Sequence, residues 1–243
     1  QNAEEFYRAE NGHAIGYFWG YKTAGLFQNQ KEINDWIAAG NGIYQADVKP
    51  GDVKYVDVNH DGVINASDKV DLGNGLPKYT FGFNFSLAWK GFDLSANFTG
   101  AAGFQIAQSY RDPSSSQANY SRRILKRWTG EGTSNEIPRV TYGDVGNWLF
   151  SDLYLQDGDY IRLQNLTMGY DFKKLISWKG LSKRRLYFQV QNLFTLTKYD
   201  GMDPEIGSFN GTDGNSSDSW VSGVDMGYYP HPRTFIVGLN LAF

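Results

Sequence analysis

Thr234-Phe235-Ile236-Val237-Gly238-Leu239-Asn240-Leu241-Ala242-Phe243 closes the chain, and its alternation governs how the rest is read. Phe235, Val237, Leu239, Leu241 and Phe243 point one way, while Thr234, Ile236, Gly238, Asn240 and Ala242 point the other. One face is wholly apolar and the opposite face is mostly small or polar. A strand of a soluble sandwich needs one such face. A strand of a transmembrane barrel needs about 9–11 residues of the same alternation. The final segment alone admits both.

Upstream, the pattern recurs without an error. Tyr79, Phe81, Phe83, Phe85, Leu87 and Trp89 alternate with Thr80, Gly82, Asn84, Ser86 and Ala88. Lys90-Gly91 supplies a tight turn, and Phe92, Leu94, Ala96 and Phe98 then alternate with Asp93, Ser95, Asn97 and Thr99. This spacing predicts a hairpin. From Tyr160 to Tyr170 the apolar residues begin at odd numbers and continue at even ones, so the phase changes at Gln164-Asn165, as one inserted bulge residue would make it. Leu186, Phe188, Val190, Phe194 and Leu196 mark a further strand, with Asn192 as its outward exception. Five strands are thus secure. The stretch Gly16–Tyr21 with Gly25–Phe27 is strand-like or loop, Leu149–Leu155 is a short strand, Ser121–Trp128 is amphipathic, and Lys31–Ala39 is a short helix stopped by Gly40-Asn41-Gly42.

Composition narrows the class. The 243 residues are 16% aromatic and include 28 glycines, which suits many strands and turns. Mean hydropathy is −0.49 and no run of 18 apolar residues occurs, which excludes a transmembrane helix but not a barrel. With 23 basic against 26 acidic residues, no field calls for nucleic acid, although Lys183-Arg184-Arg185 is a local basic cluster. There is no cysteine, so no disulfide forms, and three scattered histidines argue against zinc. No basic start followed by an apolar run opens the chain, so no signal peptide is expected at Gln1.

Two sets of residues carry candidate chemistry. Asp57-Val58-Asn59-His60-Asp61-Gly62-Val63-Ile64-Asn65-Ala66-Ser67-Asp68 matches the twelve-residue calcium loop, with oxygen side chains at its first, third and fifth positions and glycine at the sixth. Asp57, Asn59, Asp61, the Val63 carbonyl and Asp68 are the candidate calcium ligands, so calcium is a possible cofactor. Asp68 is shorter than the usual glutamate, and the same residues also suit an Asx-rich turn closed by its own hydrogen bonds. Trp19, Tyr21, Trp148 and Trp220 are candidate stacking platforms for sugar rings, beside the reading that each is packing or interface belt. No nucleophile, base and orienter stand in a credible arrangement, so no enzyme is expected.

Loop lengths separate the two fold readings. The turns at Lys90-Gly91 and around Lys173–Ser182 are short, while the connections 103–159 and 197–232 are long. Outer-membrane barrels place short turns on the periplasmic side and long loops outside. If the chain ends in the periplasm, every short turn and every long connection obeys that rule, and the Asp57 loop lies outside the cell. A sandwich has no reason to do so. The expectation is therefore an all-β segment of a large antiparallel transmembrane barrel, since five strands cannot close the smallest barrels of about eight. Residues 1–78 are read as an extracellular loop region and 79–243 as barrel strands with long loops. The competing reading is a secreted calcium-binding β-sandwich that binds carbohydrate.

The chain also resembles the carboxyl-terminal quarter of the SusC/RagA family of TonB-dependent outer-membrane transporters. The resemblance lies in Gly20-Tyr21-Lys22-Thr23-Ala24-Gly25-Leu26-Phe27, in Gly51-Asp52-Val53-Lys54-Tyr55 leading into Asp57–Ile64, in Asp159–Tyr170, and in Gln191-Asn192-Leu193-Phe194-Thr195. It continues through Lys198–Glu205, Tyr229-Pro230 and Pro232–Phe235. What the resemblance implies is a 22-stranded barrel with an N-terminal plug, importing glycans or peptides with energy from TonB beneath a SusD-type lipoprotein lid. Its implied partners are that surface lipoprotein, the remainder of the barrel and plug, TonB through the part not present here, and outer-membrane lipid. It also implies that the terminal Phe243 is a periplasmic end read by the barrel-assembly machinery.

Overall fold

Strands form where side chains alternate between large apolar and small polar, and the long connections fold separately. The computed structural model describes residues 6–109, 119–141, 146–174, 180–207 and 222–242. In chain order the elements are β1 (Tyr7–Arg8), β2 (Tyr17–Tyr21), β3 (Thr23–Leu26), α1 (Gln30–Ala38), β4 (Val53–Tyr55), β5 (Lys69–Asn74), β6 (Tyr79–Trp89) and β7 (Phe92–Ala102). They continue with β8 (Gln105–Gln108), β9 (Leu155–Asp157), β10 (Tyr160–Asp171), β11 (Lys183–Thr197), β12 (Val224–Asp225) and β13 (Thr234–Ala242). The chain divides into two units, one made of 1–76, 105–156 and 206–227, the other of 77–104, 157–205 and 228–243.

The second unit is one antiparallel sheet in the order β13-β11-β10-β7-β6. Its five strands are the five that alternation predicts. Lys90 and Gly91 both take positive φ, 49° and 98°, the conformation a two-residue hairpin turn needs to follow the strand twist. The phase change in β10 is a bulge: Leu163 pairs with Phe98 and Asn165 with Asn97, leaving Gln164 without a partner on β7. On the other side Leu163 pairs with Phe194 and Asn165 with Gln191, so β11 carries an extra residue as well. Asn192, read from sequence as an outward exception, sits in that irregularity with φ 51°. Asparagine tolerates this left-handed conformation better than most residues, and its Nδ2 donates to the Pro232 carbonyl at 3.1 Å.

Register aligns the apolar residues of all five strands on one face. Phe83 stands opposite Phe98, Phe98 opposite Leu163, and Leu163 opposite Phe194. Phe188 and Val190 face Val237 and Phe235. This face is not covered: Tyr79, Phe85, Trp89, Leu196, Phe235 and Val237 are all exposed, the last at 72%. Contiguous apolar surface on this scale marks an interaction or membrane face rather than a water-facing one. The other face is polar, and Arg185 bridges over β10 to Asp93, with Nε to Oδ1 at 2.7 Å. Glycine opens room for large neighbours at two cross-strand pairs. A Cβ on Gly100 would lie 2.4 Å from the Phe81 ring, and one on Gly238 2.3 Å from the Tyr187 ring.

The first unit holds the buried core. Its sheets are β1-β2-β5, β12-β8-β9 and the pair β3-β4. Tyr7, Phe18, Ala107 and Val224 form one buried cluster, and Tyr21, Leu26, Val53, Tyr55 and Ile64 form another. Helix α1 starts where Asn29 accepts the Glu32 N–H, and it buries Ile33 and packs Trp36 edge-on against Phe27. One expectation shifts here. Leu149–Leu155 is not one strand: Ser151 makes an isolated bridge to Tyr21, 152–154 is a 3₁₀ turn, and the strand begins at Leu155. The amphipathic Ser121–Trp128 holds a 3₁₀ turn at Arg122–Lys126, in which Ser121 makes no side-chain cap and no residue is buried. Trp220 and Phe243 lie outside the described residues.

Candidate functional site

The first unit contains a cavity of about 220 Å³. Arg123 and Ile124 come from the 3₁₀ turn and Tyr120 from just before it, Ile137 to Val140 from the chain that follows, and Asn147, Trp148, Phe150, Leu153 and Tyr154 from the stretch before β9. One buried carboxylate organises part of this wall. Asp52 receives Arg139 Nε at 2.6 Å and Nη2 at 3.1 Å, and Asn147 Nδ2 at 2.7 Å. Asp52 is 2% exposed, so the paired, hydrogen-bonded arrangement is what makes its burial tolerable. Asn147 in turn accepts the Val53 N–H through Oδ1, and its carbonyl accepts the Tyr154 hydroxyl at 2.7 Å. Burial pushes the Tyr154 phenol far above its usual range, so it stays a neutral donor.

Of the four aromatic platforms named from sequence, the structure brings Trp148 to this cavity. Trp19 lies elsewhere, with the Arg8 guanidinium over its ring at 4.0 Å and Tyr17 edge-on. Tyr21 is buried in the core against Tyr55, with ring centroids 5.5 Å apart, and offers no open ring face. That places Tyr21 in packing: it sits in β2, whose alternate residues both turn inward. Tyr120, Tyr154, Arg123 and Arg139, which line the cavity, were not singled out from sequence. No local pattern in the chain brings their segments together, and Asp52 and Arg139 are far apart in the chain.

The Asp57–Asp68 loop closes on its own backbone. Asp57 Oδ2 accepts the Gly62 N–H at 2.7 Å, Asn59 Oδ1 accepts that of Asp61 at 3.0 Å, and Asp61 Oδ1 accepts that of Val63 at 2.9 Å. The Val63 N–H, followed by the Asn59 side-chain amide on the other oxygen, holds the Asp61 carboxyl below the usual aspartate range. Asp68 is fully buried and accepts from Val58 at 2.9 Å through one oxygen and from Asn65 at 2.8 Å through the other. Asp57, Asp61 and Asp68 do not gather as a group of ligand oxygens; the one such group among the described residues, within 4.8 Å, is Asp203, Glu205 and His231.

That second group belongs to the sheet unit and already surrounds a cation. Arg162, buried at the start of β10, donates Nε to Thr195 Oγ1 at 2.9 Å, Nη1 to Glu205 Oε2 at 2.7 Å and Nη2 to Asp203 Oδ1. Asp203 also accepts the His231 N–H at 3.1 Å. The guanidinium occupies the place a metal would take. The cluster ties both ends of the connection 197–232 to the sheet.

No family model matches the chain. It is 34% identical over 234 residues to TonB-dependent receptor P3 of Formosa agariphila, covering 96% of this chain and 22% of that protein. It is 29% identical over 206 residues to TonB-dependent receptor SusC of Bacteroides thetaiotaomicron, covering 83% of this chain and 18% of SusC. Among solved structures, the RagAB peptide importer in its open-open state matches 98% of the chain and 24% of the RagAB chain, with TM-score 0.64 at 19% identity. The chain therefore spans about a fifth of the curated relatives it matches. Its homologues, matched along nearly its whole length, are SusC/RagA-type TonB-dependent receptors, of which it corresponds to a fragment.

Proposed function

We infer that this chain forms wall strands and outer loops of a TonB-dependent outer-membrane importer, and that it works in transport rather than catalysis. The observation that carries the reading is the uncovered apolar face of the β13-β11-β10-β7-β6 sheet, backed by a polar face. Such a sheet is stable where lipid covers one side and a hydrated lumen the other. Its strands run from 9 to 15 residues, long enough to span at a tilt. A sandwich would need a second sheet over that face. The RagAB likeness supports the transport role and, with the resemblance to SusC, a lipoprotein lid of the SusD type as partner.

The finer parts belong to the same proposal. They are a 22-stranded barrel, the TonB contact made by other parts of the receptor, the limits 1–78 and 79–243 for loop region and barrel strands, loops outside the cell and a periplasmic carboxyl terminus. The cargo is a glycan or a peptide. Uptake of labelled cargo by cells carrying the full receptor tests the reading: import should need TonB, and the receptor should fractionate with the outer membrane. A receptor recovered from the soluble fraction without detergent would sink it.

A further inference from the structure

Resting on the importer reading, the geometry points to the short-turn end of the β13-β11-β10-β7-β6 sheet as a docking site for the phosphodiester headgroup of an anionic phospholipid. The apolar face ends there in rings. Trp89 and Phe92 are cross-strand partners and both are exposed. Phe92 is also the register partner of Tyr170, with ring centroids 4.3 Å apart, and Phe172 stands edge-on to Tyr170 at 4.9 Å. Aromatic side chains at the edge of an apolar band mark the depth at which acyl chain gives way to headgroup.

The cations stand where those rings end. Lys90 lies in the hairpin turn beside Trp89, and its Nζ is 4.8 Å from the centroid of that ring. The ammonium is thus held over a lipid-facing ring at the rim of the band, and a ring face leaves its N–H donors for an anion. The next turn is tied to this one, since the Asp171 N–H donates to the Gly91 carbonyl at 2.8 Å, and it carries exposed Lys173. The aspartates of these strand ends, Asp93 and Asp171, both stand on the polar face. Asp93 is held by Arg185, and Asp171, the register partner of Arg185, accepts the Lys173 N–H at 2.9 Å. The connection 172–182 contains Lys173, Lys174 and Lys179 and no aspartate or glutamate, so its side chains add only positive charge. A phospholipid fits both parts of this rim: its acyl chains continue along the apolar face past Trp89 and Phe92, and its phosphate lies level with Lys90 and Lys173. A zwitterionic headgroup brings its own cation to the same place and gains less.

The test uses the full receptor purified in detergent. Native mass spectrometry reads the lipid retained from phosphatidylglycerol and from phosphatidylcholine of the same acyl chains, with glycerol phosphate as a competitor that has the headgroup charge and no chain. Phosphatidylglycerol should be retained in preference, and the double variant Lys90→Asn with Lys173→Gln should lose about fivefold or more of that preference, roughly the effect of one lysine at a charged lipid surface. Asparagine suits the positive φ of Lys90, so the turn itself stays intact. Lys78→Gln with Lys198→Gln removes the same charge at the long-connection end and should leave the preference unchanged. Equal retention of the two lipids by the parent receptor would overturn the proposal. So would an equal loss in the Lys78 and Lys198 variant, or glycerol phosphate competing as strongly as intact lipid. The two readings fail separately: a receptor that fractionates with the outer membrane and imports with TonB but shows no headgroup preference sinks the rim site alone, whereas recovery from the soluble fraction without detergent sinks the importer reading.

Discussion

Asp203 shows how much one carboxylate can hold. Burial alone would raise its pKa, but the N–H groups of Glu205 and His231, the His231 ring and the Arg162 guanidinium outweigh burial and keep it below the ordinary aspartate value. A carboxyl lowered in the folded state contributes stability above its unfolded pKa, and that contribution is lost as pH falls through the folded value. Hydrogen exchange on the receptor in detergent should therefore show the backbone at 203–205 and 231 protected at neutral pH and opening only below about pH 4. Protection that persists once the carboxyl is protonated would count against this role. Asp68 is the corresponding residue of the Asp57–Asp68 loop. Asp68→Ala leaves the N–H groups of Val58 and Asn65 without acceptors and should cost about 1–3 kcal/mol, read as faster proteolysis of the loop. Because backbone donors hold Asp68, a calcium chelator should leave the proteolysis rate of the unaltered loop unchanged. A chelator-induced rise would assign the ion to this loop.

At the scale of the element, the paired irregularity of β10 and β11 sets the register of the sheet. Without it, one end of β10 would turn its apolar residues to the polar face, since a one-residue slip inverts every side chain. Gln164 and Asn192 stand at this point on neighbouring strands. Asn192→Val would force a β-branched residue to φ 51°, at a cost on the order of 1–3 kcal/mol. Asn192→Gly should be much milder, because glycine adopts that conformation freely. Thermal unfolding of the receptor in detergent should rank the asparagine above the valine form by several degrees, with glycine between. A valine form as stable as the parent would show that the bulge can move elsewhere.

For the whole molecule, the two faces of the sheet make opposite predictions at adjacent positions. Phe85 is exposed on the apolar face near the middle of β6, while Asn84 points to the polar face. Phe85→Arg should cost about 2–4 kcal/mol where lipid covers the face and reduce the receptor recovered in the outer membrane. Asn84→Arg should leave recovery unchanged. Equal recovery of both variants would remove the lipid assignment of that face. The five strands, the Lys90-Gly91 turn, the bulge and the apolar face were all legible in the chain, because each depends on a period or a turn carried by neighbouring residues. The same local pattern in Asp57–Asp68 did not distinguish an ion site from a self-closed turn. The cavity was not legible either, since Asp52 reaches Arg139 and Asn147 only after the long connection folds back. Likewise Arg162 meets Asp203 and His231 from the two ends of one long connection, and Tyr21 was taken from solvent by packing on Tyr55. Sequence by itself determined the strands and their faces, since side-chain direction alternates with a period of two; tertiary structure decided which distant side chains meet, since no local rule fixes how aperiodic loops pack.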